Sequence, residues 1–89
     1  MQGITVTAFG HISSLLGARE VVLASDGPLP VSAILDELRS RYPLFSNYLG
    51  QLKDVEENLL ILAQSRELQM NSLVQPGEEV VLVTPISGG

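Results

Sequence analysis

Few residues in this chain are of a type that does chemistry. The sequence closes on Gly88-Gly89, preceded by Thr84-Pro85-Ile86-Ser87 and by the apolar run Val80-Val81-Leu82-Val83. A Gly-Gly end is a narrow rod without side chains, able to enter a channel where a Cβ would clash. It presents an α-carboxyl of pKa about 3.5, ionised at neutral pH. A carboxylate is a poor electrophile, but its adenylate is a good one because AMP leaves readily. A sulfur donor that displaces AMP leaves a terminal thiocarboxylate. The chain has no Cys, so no internal thiol can attack such an activated end. The same absence removes disulfides, thiolate metal sites and Cys nucleophiles, and it fits a reducing cytosol.

The other candidates are weaker. His11 is the one His of the chain. A Ser-His-carboxylate triad is arithmetically available, but a lone His near the N-terminus more often caps a turn or stands exposed. Asp54, Glu56 and Glu57 form an acidic cluster with no further ligand at a defined spacing, so the sequence predicts a solvated connection and no metal site.

The chain that must position these residues holds 89 amino acids, one small domain too short for two lobes with a cleft between them. With 45% hydrophobic and 17% charged residues it is expected to fold as a globule. The net charge is −5, and Arg19, Arg39, Arg41, Lys53 and Arg66 are scattered, which disfavours nucleic acid as a partner. No apolar run approaches the ~18 residues of a membrane span. The N-terminus lacks the basic and apolar regions of a signal peptide, and a cytoplasmic location is expected.

Alternation over 3–9 predicts a strand, with Ile4, Val6 and Ala8 on one face and Thr5, Thr7 and Phe9 on the other. Phe9 is the oddity on that more polar side. Ile12, Leu15 and Leu16 followed by Gly17 predict a short helical turn, and 20–24 a second strand. Val31, Ile34, Leu35, Leu38 and Tyr42 make one apolar stripe of a helix over 31–42, with Pro30 at its first position and Pro43 ending it. Leu44, Phe45, Tyr48, Leu49 and Leu52 predict a second short helix over 44–52. The run 59–63 reads as a strand buried on both faces, followed by a turn at 64–67 and a short return strand at 68–70. Gln75-Pro76-Gly77-Glu78 suits a type II turn, and 79–83 is the last strand. Strands mixed with one long helix imply an α+β fold, with a domain over 1–83 and an extended tail over 84–89.

Three stretches resemble the β-grasp sulfur-carrier family, and most closely its molybdopterin synthase small-subunit (MoaD) type. Phe9-Gly10-His11-Ile12-Ser13-Ser14-Leu15-Leu16-Gly17 is similar to the family's Phe-Ala-x-Leu-Arg-Glu-Leu-Leu-Gly. Leu73-Val74-Gln75-Pro76-Gly77-Glu78-Glu79-Val80 is similar to Leu-x-Asp-Gly-Asp-Glu-Val, with one extra loop position. Thr84-Pro85-Ile86-Ser87-Gly88-Gly89 is similar to Pro-Pro-Val-Ser-Gly-Gly. The chain departs from the pattern at Ser13 and Ser14, which stand for a charged pair, at Gln64-Ser65 for Asn-Gly, and at Thr84 for the first tail Pro.

The resemblance implies a ubiquitin-like mixed sheet with the main helix across one face and the first and last strands parallel neighbours. It implies a carrier that is not catalytic alone and binds no cofactor itself. An E1-like enzyme would spend ATP to adenylate Gly89. The thiocarboxylate, inserted with Pro85, Ile86, Ser87 and Gly88 into the large catalytic subunit of a heterotetramer, would supply sulfur for the dithiolene of the molybdenum cofactor. Carriers for thiazole or cysteine synthesis and ubiquitin-like modifiers share the tail and remain alternatives. If Val80 and Leu82 face the helix, Phe9, Val81 and Val83 share the opposite sheet face as an exposed apolar partner-binding patch, unless loops or the second short helix cover it.

Overall fold

A computed structural model describes residues 3–52, 58–64 and 66–84. In chain order its elements are β1 (Gly3–Ala8), α1 (His11–Leu16), β2 (Glu20–Ala24), β3 (Leu29–Pro30), α2 (Val31–Arg41), α3 (Pro43–Gln51), β4 (Leu60–Ala63), β5 (Arg66–Glu67), β6 (Leu73–Val74) and β7 (Glu79–Val83). Five strands form one mixed sheet in the order β2-β1-β7-β4-β5, while β3 and β6 pair with each other. The central pair β1–β7 is parallel and the other neighbours are antiparallel. This is the β-grasp arrangement, α+β with the helices on one face of the sheet.

Period-2 patterning decides which face is buried. Ile4, Val6 and Ala8 of β1, Val80 and Leu82 of β7 and Ile61 and Ala63 of β4 are at most 2% exposed and share one core with Val31, Ile34, Leu35 and Leu38 of α2. The parallel register is set at its start by the turn before β7. Glu78 N–H donates to Gln75 C=O at 3.1 Å, and Gly77 takes φ +91°, the value the third residue of a type II turn requires. Gly77 N–H then donates to Gly3 C=O (2.8 Å) and Thr5 N–H to Glu78 C=O (3.1 Å), so the turn is fastened to the head of β1.

The structure corrects several sequence expectations. The main helix ends at Arg41, because Pro43 holds Tyr42 extended at φ −126°, ψ 97°. Pro30 precedes the helix, in an extended conformation paired to Leu73, instead of opening it. The next helix starts on Pro43, one residue before the expected position. It buries Phe45 and Leu49 and leaves Leu44 at 60% exposure. The run 59–63 is not buried on both faces: within β4, Ile61 and Ala63 are buried, whereas Leu60 and Leu62 are half-buried on the other side. The return strand is Arg66–Glu67, not 68–70, since Ala63 pairs with Arg66 across a turn that begins with Gln64 at φ +55°. No described helix is long and apolar enough to cross a membrane.

Leu38 is fully buried on the core side of α2 and Leu44 is exposed on α3. Leu38→Ala is expected to cost about 2–5 kcal/mol in urea unfolding, and Leu44→Ala under about 0.5 kcal/mol.

Candidate functional site

The site is built on the strand that occupies the centre of the sheet. Alternation along β7 sends Val80 and Leu82 into the core and turns Val81 and Val83, each half-buried, to the opposite face. Val81 lies between Thr7 of β1 and Leu62 of β4, and Val83 lies beside Leu60. The β1–β7 ladder runs one residue past Ala8, where Phe9 N–H donates to Leu82 C=O at 3.2 Å. That bond sets Phe9, 44% exposed, next to Val83. The three patch residues expected from sequence are thus brought together.

Leu60 and Leu62 complete the patch and were missed. In an uninterrupted apolar run nothing marks which residues face out. The signal available was indirect: once Val81 and Val83 face outward, their cross-strand partners must do so too. α3 packs against α1 and α2, so the second short helix sits on the helical side and does not cover this face.

Acidic residues border the patch. One row across the sheet reads Glu20, Thr7, Val81, Leu62, Glu67, with an apolar centre and a carboxylate at each end. Glu79, on the same face of β7, accepts a hydrogen bond from the Thr7 hydroxyl. None of the strand residues on this face is Lys or Arg.

β7 hands the chain on at Val83, between Phe9 and Leu60, and Thr84 is the last described residue. Pro85, Ile86, Ser87, Gly88 and Gly89, expected from sequence to be the inserting and reacting segment, lie outside the described residues. So do Lys53, Asp54, Glu56, Glu57 and Ser65. Among the described residues no cluster of three His, Cys, Asp or Glu could hold a metal. His11 is exposed and packs edge-on against the Tyr48 ring, 5.4 Å between centroids at 73°. Among the described residues it has no hydrogen bond to a serine or a carboxylate, so its place is a contact between α1 and α3.

The two faces of β7 are expected to respond oppositely to the same substitution. Val80→Asp buries an unpaired carboxylate and should remove most of the ~5 kcal/mol available to a domain of this size. Val83→Asp should cost under about 1 kcal/mol. Thermal unfolding of the two variants checks the assignment; equal losses would place Val83 in the core.

No protein-family model and no curated protein sequence matches the chain. Solved structures do. SAMP1 of Haloferax volcanii superposes with a TM-score of 0.82 at 23% identity, over 98% of this chain and 99% of that one. A Pyrococcus furiosus protein assigned as molybdopterin converting factor, subunit 1, gives 0.77 at 16% identity over 97% and 100%. Urm1 of Trypanosoma brucei gives 0.67 at 16% over 99% and 96%. The structural neighbours of this chain are therefore small β-grasp proteins, and it shares their fold along nearly its whole length.

Proposed function

We propose that the chain is a sulfur carrier of the molybdopterin synthase small-subunit type, with its thiocarboxylate on Gly89. A carboxylate oxygen of Gly89 attacks the α-phosphorus of ATP on an E1-like adenylating enzyme, and pyrophosphate departs. Sulfur at the sulfide level (HS⁻) then attacks the acyl carbon, AMP leaves with the electrons of the C–O bond, the S–H proton passes to solvent, and the thiocarboxylate remains. A large catalytic subunit admits Pro85, Ile86, Ser87 and Gly88 into a narrow channel and receives the sulfur for a dithiolene. The carrier supplies reach and a leaving sulfur; the acid and base groups belong to the partner.

One observation carries this reading. The open apolar patch of Phe9, Leu60, Leu62, Val81 and Val83 lies at the point where β7 hands the chain to the Gly-Gly segment. Docking of that patch aims the following residues at one place on the partner. The carboxylate rim asks for a partner with an apolar centre and basic surroundings, because charge complementarity selects the partner and speeds encounter. Val83→Asp is expected to weaken binding to the large subunit while leaving the fold intact.

A second reading, a protein modifier joined to lysines through Gly89, has its own support. The Haloferax and Methanosarcina neighbours carry the name small archaeal modifier protein 1. Intact mass spectrometry of the native protein separates the two. Replacement of one oxygen by sulfur marks the carrier, and a ladder of larger adducts marks the modifier.

Deletion of Gly89 tests the reacting residue. It draws the carboxyl back by about 3.5 Å of extended chain, and a misplacement of about 1 Å can already cost 10²-fold in rate. The truncated protein is expected to unfold at the same temperature and to bind the large subunit through its sheet, yet to fail in adenylation and sulfur delivery. Extension by one Ala should fail likewise. Normal sulfur transfer by the deletion variant would end the carrier reading.

A further inference from the structure

One edge of the main sheet is open for pairing. Ala8 N–H donates to Arg19 C=O at 2.8 Å, which sets the phase of the antiparallel β1–β2 ladder. In that phase Val21 and Leu23 bond to β1, while the N–H and C=O groups of Glu20, Val22 and Ala24 point away from it. Among the described residues no hydrogen bond takes up these six groups. Proteins ordinarily blunt such an edge with Lys, Pro, a bulge or a very short strand. The opposite edge, β5, has two residues, Arg66 and Glu67. β2 has five, without Lys or Pro, and carries at its midpoint Val22, 59% exposed.

We propose that β2 pairs antiparallel with β2 of a second copy of this chain, about a two-fold axis through Val22. Only outward-pointing residues can exchange both backbone bonds with a new strand, and this limits the registers. Centring on Val22 sets Val22 against its own copy and Glu20 against Ala24 twice, making six N–H···O=C bonds. Centring on Val21 or Leu23 leaves two such pairs instead of three. Centring on Glu20 sets two carboxylates face to face, which is destabilising. Bond count therefore chooses the Val22 register, which also keeps the two Glu20 carboxylates apart.

Five residues on each side fall well short of the roughly 20–30 of a standard interface. Two chains of net charge −5 also repel. The dimer is thus a weak, concentration-dependent one. Its axis stands perpendicular to the sheet, so the two apolar patches face the same way on a continuous ten-stranded sheet. This inference rests on the sheet edge alone and stands apart from the sulfur-carrier reading.

Sedimentation equilibrium of the full chain over a wide concentration range tests it. The mass should rise from 9.6 kDa toward twice that value. Val22→Lys sets like charges opposite one another on the axis and should shift this rise to at least about tenfold higher concentration. The chain has no Cys, so Val22→Cys introduces a single thiol, and paired strands hold the two Cα atoms about 5.5 Å apart, within disulfide range. Its oxidation to a linked dimer should outrun that of Ser40→Cys, a control on the exposed side of α2. A mass fixed at 9.6 kDa at every concentration overturns the proposal. So does a dimer indifferent to Val22→Lys, or equal linking rates for the two thiols.

Discussion

The parallel pairing of β1 with β7 is the constraint on which the rest of the molecule depends. It joins residues 5–8 to residues 79–82, so the two ends of the domain meet at the centre of the sheet. The inner side chains of the pair, Ile4, Val6, Ala8, Val80 and Leu82, form the floor on which α2 rests. The remaining strands are added outward from it: β2 by an antiparallel partner on one side, β4 and β5 on the other. Val81 and Val83, on the outer side of β7, stand at the centre of the patch, with Phe9 just past the end of β1. Because a strand alternates its side chains, shifting either strand by one residue would exchange core and patch at once. Stability and the candidate site are thus held by a single register.

Much of this was legible in the sequence, for identifiable reasons. Strict alternation in β1 and the 3.6-residue stripe of α2 are each produced by burial of one face, so each can be read from residue order alone. Phe9 was informative because it broke the polar pattern of its face. The continuous run at 59–63 was not legible in this way. Leu60 and Leu62 are as apolar as their buried neighbours, and only the β4–β7 register assigns them to the open side. The two-residue strands β3 and β6 were unreadable for another reason. They are held beside each other by pairing between segments far apart in sequence and by flanking bonds, Val31 N–H to Ser72 C=O at 2.9 Å and Ser32 N–H to Met70 C=O at 3.0 Å, which leave no periodicity behind. The Gly-Gly segment is the converse case: its chemical meaning is plain from residue type, with no fold needed to see it.

The chemistry proposed for this chain asks unusually little of the fold. No pocket, metal or shifted acid is needed to activate a terminal carboxyl when the partners bring the nucleotide and the sulfur. What the fold must do is hold a docking surface rigidly and let the chain leave beside it. A mixed sheet backed by helices on one face meets both needs, since the bare face takes no part in the core.

The central position of β7 also has a consequence for how the molecule is made. Within this domain, the residues that complete the middle of the sheet come after every other element in chain order. The β1–β2 hairpin and the helices can form locally, but the floor beneath α2 stays incomplete until residues 79–83 arrive. Closing a loop of more than seventy residues before it is rewarded by contacts puts the topology toward the slow end of small-domain folding. Until residues 79–83 are in place, Ile4, Val6 and Ala8 lack the neighbouring strand that completes their buried face. Without β7, β1 and β4 have no strand between them, so a chain truncated before that strand lacks a stable sheet as well as its reactive end.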